Sequence, residues 1–263
     1  MADASPAPQP ATAERWSRLA SLGLVMAALG PLLMLAAGVV WGLDVGDEVP
    51  FFLVTGGVGL VASYLVRRPG VWSKVVGIVG ALLVALALFW TAFGLASPAS
   101  FFDFMPGVLV IPGALIAIGS SIAAIRSRRA GAAPAGDREP QVIKRIVTVV
   151  AALAVISGVL TFMSRDSVDE GEAEVTVQLS DFEFDSDEYT FAAGSTVAVV
   201  NDDPFLHTFT VEELDIDEAI TPGSEKLIEI PDEPGEYVLF CRPHTSEPEN
   251  PSEDDMASDL VVE

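Results

Sequence analysis

The chain has 263 residues, of which 51% are hydrophobic, and a formal net charge of -23. That length allows two domains, and a charge this negative excludes a nucleic-acid partner, because holding phosphates requires Lys and Arg. One cysteine excludes an intramolecular disulfide and any binuclear centre needing two cysteines in one chain.

The charge is unevenly placed. Residues 165–263 hold 29 Asp and Glu against 3 Lys and Arg, which leaves 8 acidic and 11 basic residues in the first 164. Residues 1–13 are rich in Ala and Pro, lack apolar periodicity and predict a disordered tail. Five charge-free runs follow, at 19–43, 49–66, 75–102, 104–125 and 146–164. A helix crosses a bilayer core with about 20 apolar residues. The first run exceeds the roughly 7–15 residues of a signal-peptide core and follows a poorly basic segment, so it predicts a retained span rather than a cleaved signal. The second carries Gly56, Gly57 and Gly59, residues that let transmembrane helices pack closely. Polar residues are too few to give these runs a water-facing surface. The pattern therefore predicts an all-α transmembrane bundle of five helices over 14–164.

The loops predict its orientation. Arg15 and Arg18 precede the first run, Arg67, Arg68 and Lys74 separate the second and third, and Arg126, Arg128, Arg129, Arg138, Lys144 and Arg145 separate the fourth and fifth. The alternate loops carry Asp44, Asp47 and Glu48, then Asp103, then the acidic C-terminal part. Basic loops mark the cytoplasmic side. The N-terminus is thus expected inside and the C-terminal domain outside, in a multi-pass cell-membrane protein. No run has a charge near its middle, the usual mark of an ion or proton path. None contains a histidine to ligate haem. Met26, Met34 and Met105 read as packing residues. The five-helix region reads as an anchor and docking surface in the lipid bilayer.

Residues 165–173 predict a short acidic linker, after which the pattern changes. Val175, Val177 and Leu179 alternate with polar neighbours, as in a half-buried strand. Further short strands are expected at 189–191, 196–200, 208–211, 226–230, 237–241 and 260–262. Pro222-Gly223 and Pro234-Gly235 supply turns. Short strands with regular turns over 174–263 predict an all-β sandwich.

The chain's only two histidines and only cysteine lie in this part. His207 closes NDDPFLH, Cys241 and His244 lie in CRPH, and Met256 follows in DDMASD. Strand period places Tyr237, Leu239 and Cys241 on one face. Two imidazoles, a thiolate and a thioether form the donor set of a mononuclear blue-copper site, with the thioether as the long axial ligand. Singly, each residue also fits a plain role: a buried small Cys, solvated histidines, a packing Met.

Several segments in order resemble the cupredoxin (blue-copper, plastocyanin-like) family. They are DFEF with YTFAAGSTVAVVN, then NDDPFLHTF, then PGEYVLFCRPH, and last MASDLVVE. The resemblance covers about a third of the chain and implies a Greek-key sandwich holding one type 1 copper ion. His207, Cys241 and His244 would be its equatorial ligands and Met256 its axial one. Two features depart from the family: 11 residues, TSEPENPSEDD, separate His244 from Met256, and Ser258 stands where Gly is common. The expectation is one-electron transfer with redox partner proteins, steered by the acidic surface towards a basic docking surface. Two alternatives stay open: copper delivery or storage for assembly of an oxidase, and an electron-port subunit of a larger membrane complex. No further histidine remains for a second metal centre, so an enzyme is not expected.

Overall fold

Apolar runs broken by charged loops give the helices of the N-terminal part. The computed structural model describes residues 11–43, 46, 48–130, 139–165, 173–248, 250–252 and 255–263. Residues 1–10 of the expected tail and 166–172 of the expected linker lie outside the described residues. Among the described residues the helices are α1 (Ala11–Trp41), α2 (Val49–Val66), α3 (Val71–Ala87), α4 (Thr91–Gly94), α5 (Phe101–Ala130) and α6 (Glu139–Met163). Four helical segments, Glu14–Trp41, Val49–Val66, Phe101–Arg128 and Gln141–Met163, are long and apolar enough to cross a membrane. The third charge-free run becomes a bent pair, Val71–Ala87 with Phe89–Ala96, at 60°. Counted as one span, it brings the total to five. At the break the Thr91 hydroxyl donates to the Leu88 carbonyl at 2.7 Å. Such a bond to the preceding turn weakens a helix locally.

Contacts divide the described residues into two compact units. One holds most of the helical part, and the other combines Ala37–Asp44, Ala96–Phe104 and Val155–Glu263. In the helical unit, small residues let backbones touch. A Cβ on Gly23 of α1 would lie 2.4 Å from the Gly113 carbonyl oxygen of α5, and one on Gly113 would lie 2.7 Å from that of Gly23. Around this crossing Ala20, Leu24, Ala62, Val66, Ala81, Ala114 and Ala117 form a buried core. Such packing is how apolar helices associate where lipid removes the hydrophobic drive. Gly23→Leu must push the backbones apart and is expected to cost about 3 kcal/mol. Thermal unfolding in detergent measures this. Gly57→Ala, whose added carbon meets nothing within 4 Å, is expected to leave the melting point unchanged.

One of the basic residues between the apolar runs, in the first turn of α3, has a local role. Lys74 is fully buried and its ammonium donates to the Val66 carbonyl and, at 2.9 Å, to that of Arg68. It thereby caps the C-terminal end of α2.

The acidic part forms two sheets of short strands. These are β1 (Val175–Ser180), β2 (Glu183–Phe184), β3 (Glu188–Phe191), β4 (Thr196–Asn201), β5 (His207–Val211), β6 (Ile216–Ile220), β7 (Glu225–Glu229), β8 (Gly235–Phe240) and β9 (Ala257–Val262). One sheet runs β2-β1-β4-β7 and the other β3-β9-β8-β5-β6. β1 pairs with β4, and β3 with β9, in parallel; the remaining pairs are antiparallel. The alternation read in β1 buries Val177 and Leu179 and leaves Val175 exposed. These two pack with Phe191, Val199, Phe209, Ile220, Leu239 and Leu260 in one core. Cys241 and Met256 belong to the same core, which places the site at the edge of the packed interior rather than on a free loop.

Candidate metal centre

Two loops and one strand end build the site. The loop from β4 to β5 turns on Asn201, which is fully buried. Its amide donates to the carbonyls of Phe205 at 2.8 Å and Ile220 at 2.9 Å, while its oxygen accepts the Asp203 N–H at 2.9 Å. Asp203 is thereby turned inward. Its carboxylate accepts the N–H groups of Asp181 at 2.9 Å and Phe182 at 3.0 Å, and meets His207 Nε2 at 2.8 Å. Asp181 and Phe182 both have left-handed backbone, φ 57° and 62°. Successive N–H groups in such a turn form an anion-binding concavity. Burial raises the proton affinity of Asp203, but the donors from His207, Phe182 and Asp181 outweigh it and hold the carboxyl below its usual range.

An ionised carboxylate only accepts, so His207 carries its proton on Nε2 and leaves the Nδ1 lone pair free. That atom lies 3.1 Å from His244 Nδ1 and 3.6 Å from Cys241 Sγ, and Cys241 Sγ lies 3.2 Å from His244 Nδ1. His207 and Cys241 are fully buried and His244 is half-buried. Three lone-pair atoms aimed at one point repel unless a proton or a cation lies between them. The centre of their triangle is about 2 Å from each, close to the roughly 2.0–2.1 Å bond of a first-row metal to imidazole nitrogen. The donor set and its dimensions fit a copper ion. Among the described residues this is the one cluster of three such groups suited to a metal.

The chain matches the family of the cupredoxin-like domain over residues 152–249. The C-terminal third is a cupredoxin-like domain. The match begins inside α6 and stops before Met256. Solved structures similar to this chain include amicyanin from Paracoccus versutus, at 24% identity and TM-score 0.28, covering 37% of this chain and 86% of amicyanin. A purple cupredoxin from Nitrosopumilus maritimus is similar at 14% identity and TM-score 0.27, covering 34% of this chain and 100% of the other. Auracyanin from Roseiflexus castenholzii is similar at 16% identity and TM-score 0.24, covering 34% and 95%. No curated protein sequence matches the chain.

Within the cupredoxin domain the cysteine sulfur receives the Thr208 N–H at 3.3 Å. Burial pushes the Cys241 thiol up to about 11, against the Thr208 and His244 donors and with some help from the charge of Asp103. Metal binding there must displace a proton. Burial, and then the neighbouring His207, push His244 down to about 3, so its imidazole stays neutral. Phe182 packs edge-on against the rings of His244 and His207, with centroids 5.0 and 5.8 Å apart.

Met256 is buried beside the three and tied to two of them through the backbone. Its carbonyl accepts the Cys241 N–H at 2.9 Å, and its N–H donates to the His244 carbonyl at 3.2 Å. The long insert still returns the chain to this place because Asp255 clamps it. One carboxylate oxygen accepts the N–H and hydroxyl of Ser246 at 2.7 and 3.0 Å, and the other accepts those of Ser252 at 2.8 and 2.7 Å. Ser258, the other departure from the family, has a partner too, donating to the Ser186 carbonyl at 2.9 Å. Asp255→Ala is expected to loosen Met256 while sparing the other three residues. The copper-loaded protein should keep its colour, with altered hyperfine splitting in its electron paramagnetic resonance (EPR) spectrum. An EPR spectrum identical to the wild type would separate the clamp from the methionine.

Proposed function

We propose that this chain is a membrane-anchored type 1 (blue) copper protein that transfers single electrons on the extracytoplasmic face. The observation carrying the proposal is the meeting of His207 Nδ1, His244 Nδ1 and Cys241 Sγ within 3.6 Å of one another. Those residues would be the equatorial ligands and Met256 the axial one. A single copper ion held there supplies one-electron chemistry by alternating between Cu(II) and Cu(I).

The chain's own residues prepare the site. Asp203 fixes the tautomer and ring orientation of His207, as partners of metal-bound imidazoles do. Thr208 directs an N–H at the sulfur, drawing electron density from it. The two loops are pinned by Asn201 and Asp255, so the ligands rearrange little when the charge at the centre changes. In this reading residues 14–164 are the five-span anchor and 174–263 the copper domain, and the basic loops support an outside position for that domain. Its surface suits a basic redox partner, since Lys226 pairs with Glu218 and Arg242 with Glu212 and Asp217. Its acidic field is then offset by few free cations. No substrate bond is made or broken, so the chain would be a carrier and not an enzyme.

The test is a visible and EPR spectrum of the full chain in detergent, loaded with Cu(II). An intense thiolate-to-copper band with narrow hyperfine splitting is expected. A pale spectrum with ordinary splitting would overturn the reading in favour of copper delivery.

A further inference from the structure

The ligand loop of the cupredoxin domain rests on a segment about a hundred residues away in sequence. Ala96–Phe104 belongs to the same compact unit as the β-sheets. Asp103 accepts the N–H of Leu206 at 2.7 Å and the hydroxyl of Ser100 on the same carboxylate oxygen. Leu206 immediately precedes His207. Beside this bond, Phe102 packs against Phe205 with centroids 6.4 Å apart. Phe205 meets Phe182 at 5.1 Å, and Phe182 meets His244 at 5.0 Å. A continuous set of rings thus links the segment to the site.

We infer that Asp103 is a positioning residue of the copper site, fixing the amide beside His207 and biasing a bound ion towards Cu(II). This rests on the copper reading above. Two physical effects support it. A carboxylate bonded to Leu206 N–H holds the backbone from which the His207 ring projects. A fixed negative charge outside the ligand set favours the more positive oxidation state, and does so strongly where water is largely excluded.

Full-length protein in detergent tests this by spectroelectrochemistry. Asp103→Asn keeps an oxygen able to accept from Leu206 and removes only the charge. It is expected to shift the Cu(II)/Cu(I) equilibrium about tenfold towards Cu(I), which is about 59 mV for one electron. Asp103→Glu keeps the charge and is expected to hold the potential close to that of the wild type, as a purely steric role would not. If Asp103→Asn does not fold, Asp103→Ser is also neutral and smaller, and the same upward shift is expected. In metal-free protein Asp103→Ser should also speed hydrogen exchange at Leu206 by about tenfold through more frequent local opening. An unchanged potential in the folded neutral variant overturns the inference while leaving the copper reading intact. A wild-type protein without the blue band overturns both, and this is seen before any variant is made.

Discussion

Cys241→Ser is expected to abolish the intense visible band of the copper-loaded chain while leaving the fold in place. A hydroxyl stays protonated where a thiol gives up its proton to a metal, so thiolate-to-metal charge transfer disappears with the sulfur. The serine oxygen is smaller than sulfur, and the Thr208 N–H that now points at the sulfur can donate to it. The remaining loss is that of a polar group in a fully buried position, about 1–3 kcal/mol. Spectra and melting curves of the two proteins, purified identically, check both halves. A band that survives the substitution would remove Cys241 from the ligand set.

Asp203→Ala should be nearly as damaging by another route. The carboxylate is the shared acceptor of Asp181 N–H, Phe182 N–H and His207 Nε2. Its loss leaves three donors without their partner next to a packed core, at a cost of about 3–5 kcal/mol. The left-handed turn at Asp181–Phe182 loses the anion that holds it, and Phe182 loses its place against both imidazoles. Copper affinity is expected to fall about 10–100-fold, the usual result of removing the partner of a ligating histidine. Asp203→Asn separates the two effects. With its NH2 in the place of Oδ2, its oxygen still accepts from Asp181 N–H, while the NH2 leaves Phe182 N–H without an acceptor, faces Nε2 and draws the ring proton to Nδ1, the atom needed for the metal. A smaller loss of stability than in Asp203→Ala, with weakened copper binding, is the expected outcome, read by chelator competition and thermal unfolding.

His207, Cys241 and His244 were legible because they are rare. The only imidazoles and thiol of the chain fall in one third of it, and strand period put Cys241 on the core face with Leu239. Their supports were not legible. Asp203 reads as one more acid in a domain full of acids, and its role depends on N–H groups about twenty residues earlier. Asp103 is harder still, since its partner is a backbone amide 103 residues away and backbone donors leave no trace in sequence. Among the strands, β6 was missed because Ile216–Ile220 carries acids between its two buried isoleucines and looks like a loop. It is a strand because it pairs along the whole of β5. The helical part was readable as apolar runs, but the 60° bend near Leu88 was not. A hydropathy pattern does not record it.

The Asp255 clamp separates the length of a loop from the position of the residue that follows it. Because Ser246 and Ser252 are gathered on one carboxylate just before Met256, chain added or removed between the two serines changes the closure entropy only slowly with length. Residues there are free to drift, lengthen or acquire a recognition sequence without retuning the core. The same property makes this short stretch the natural place to graft a fluorophore or affinity tag on the copper domain.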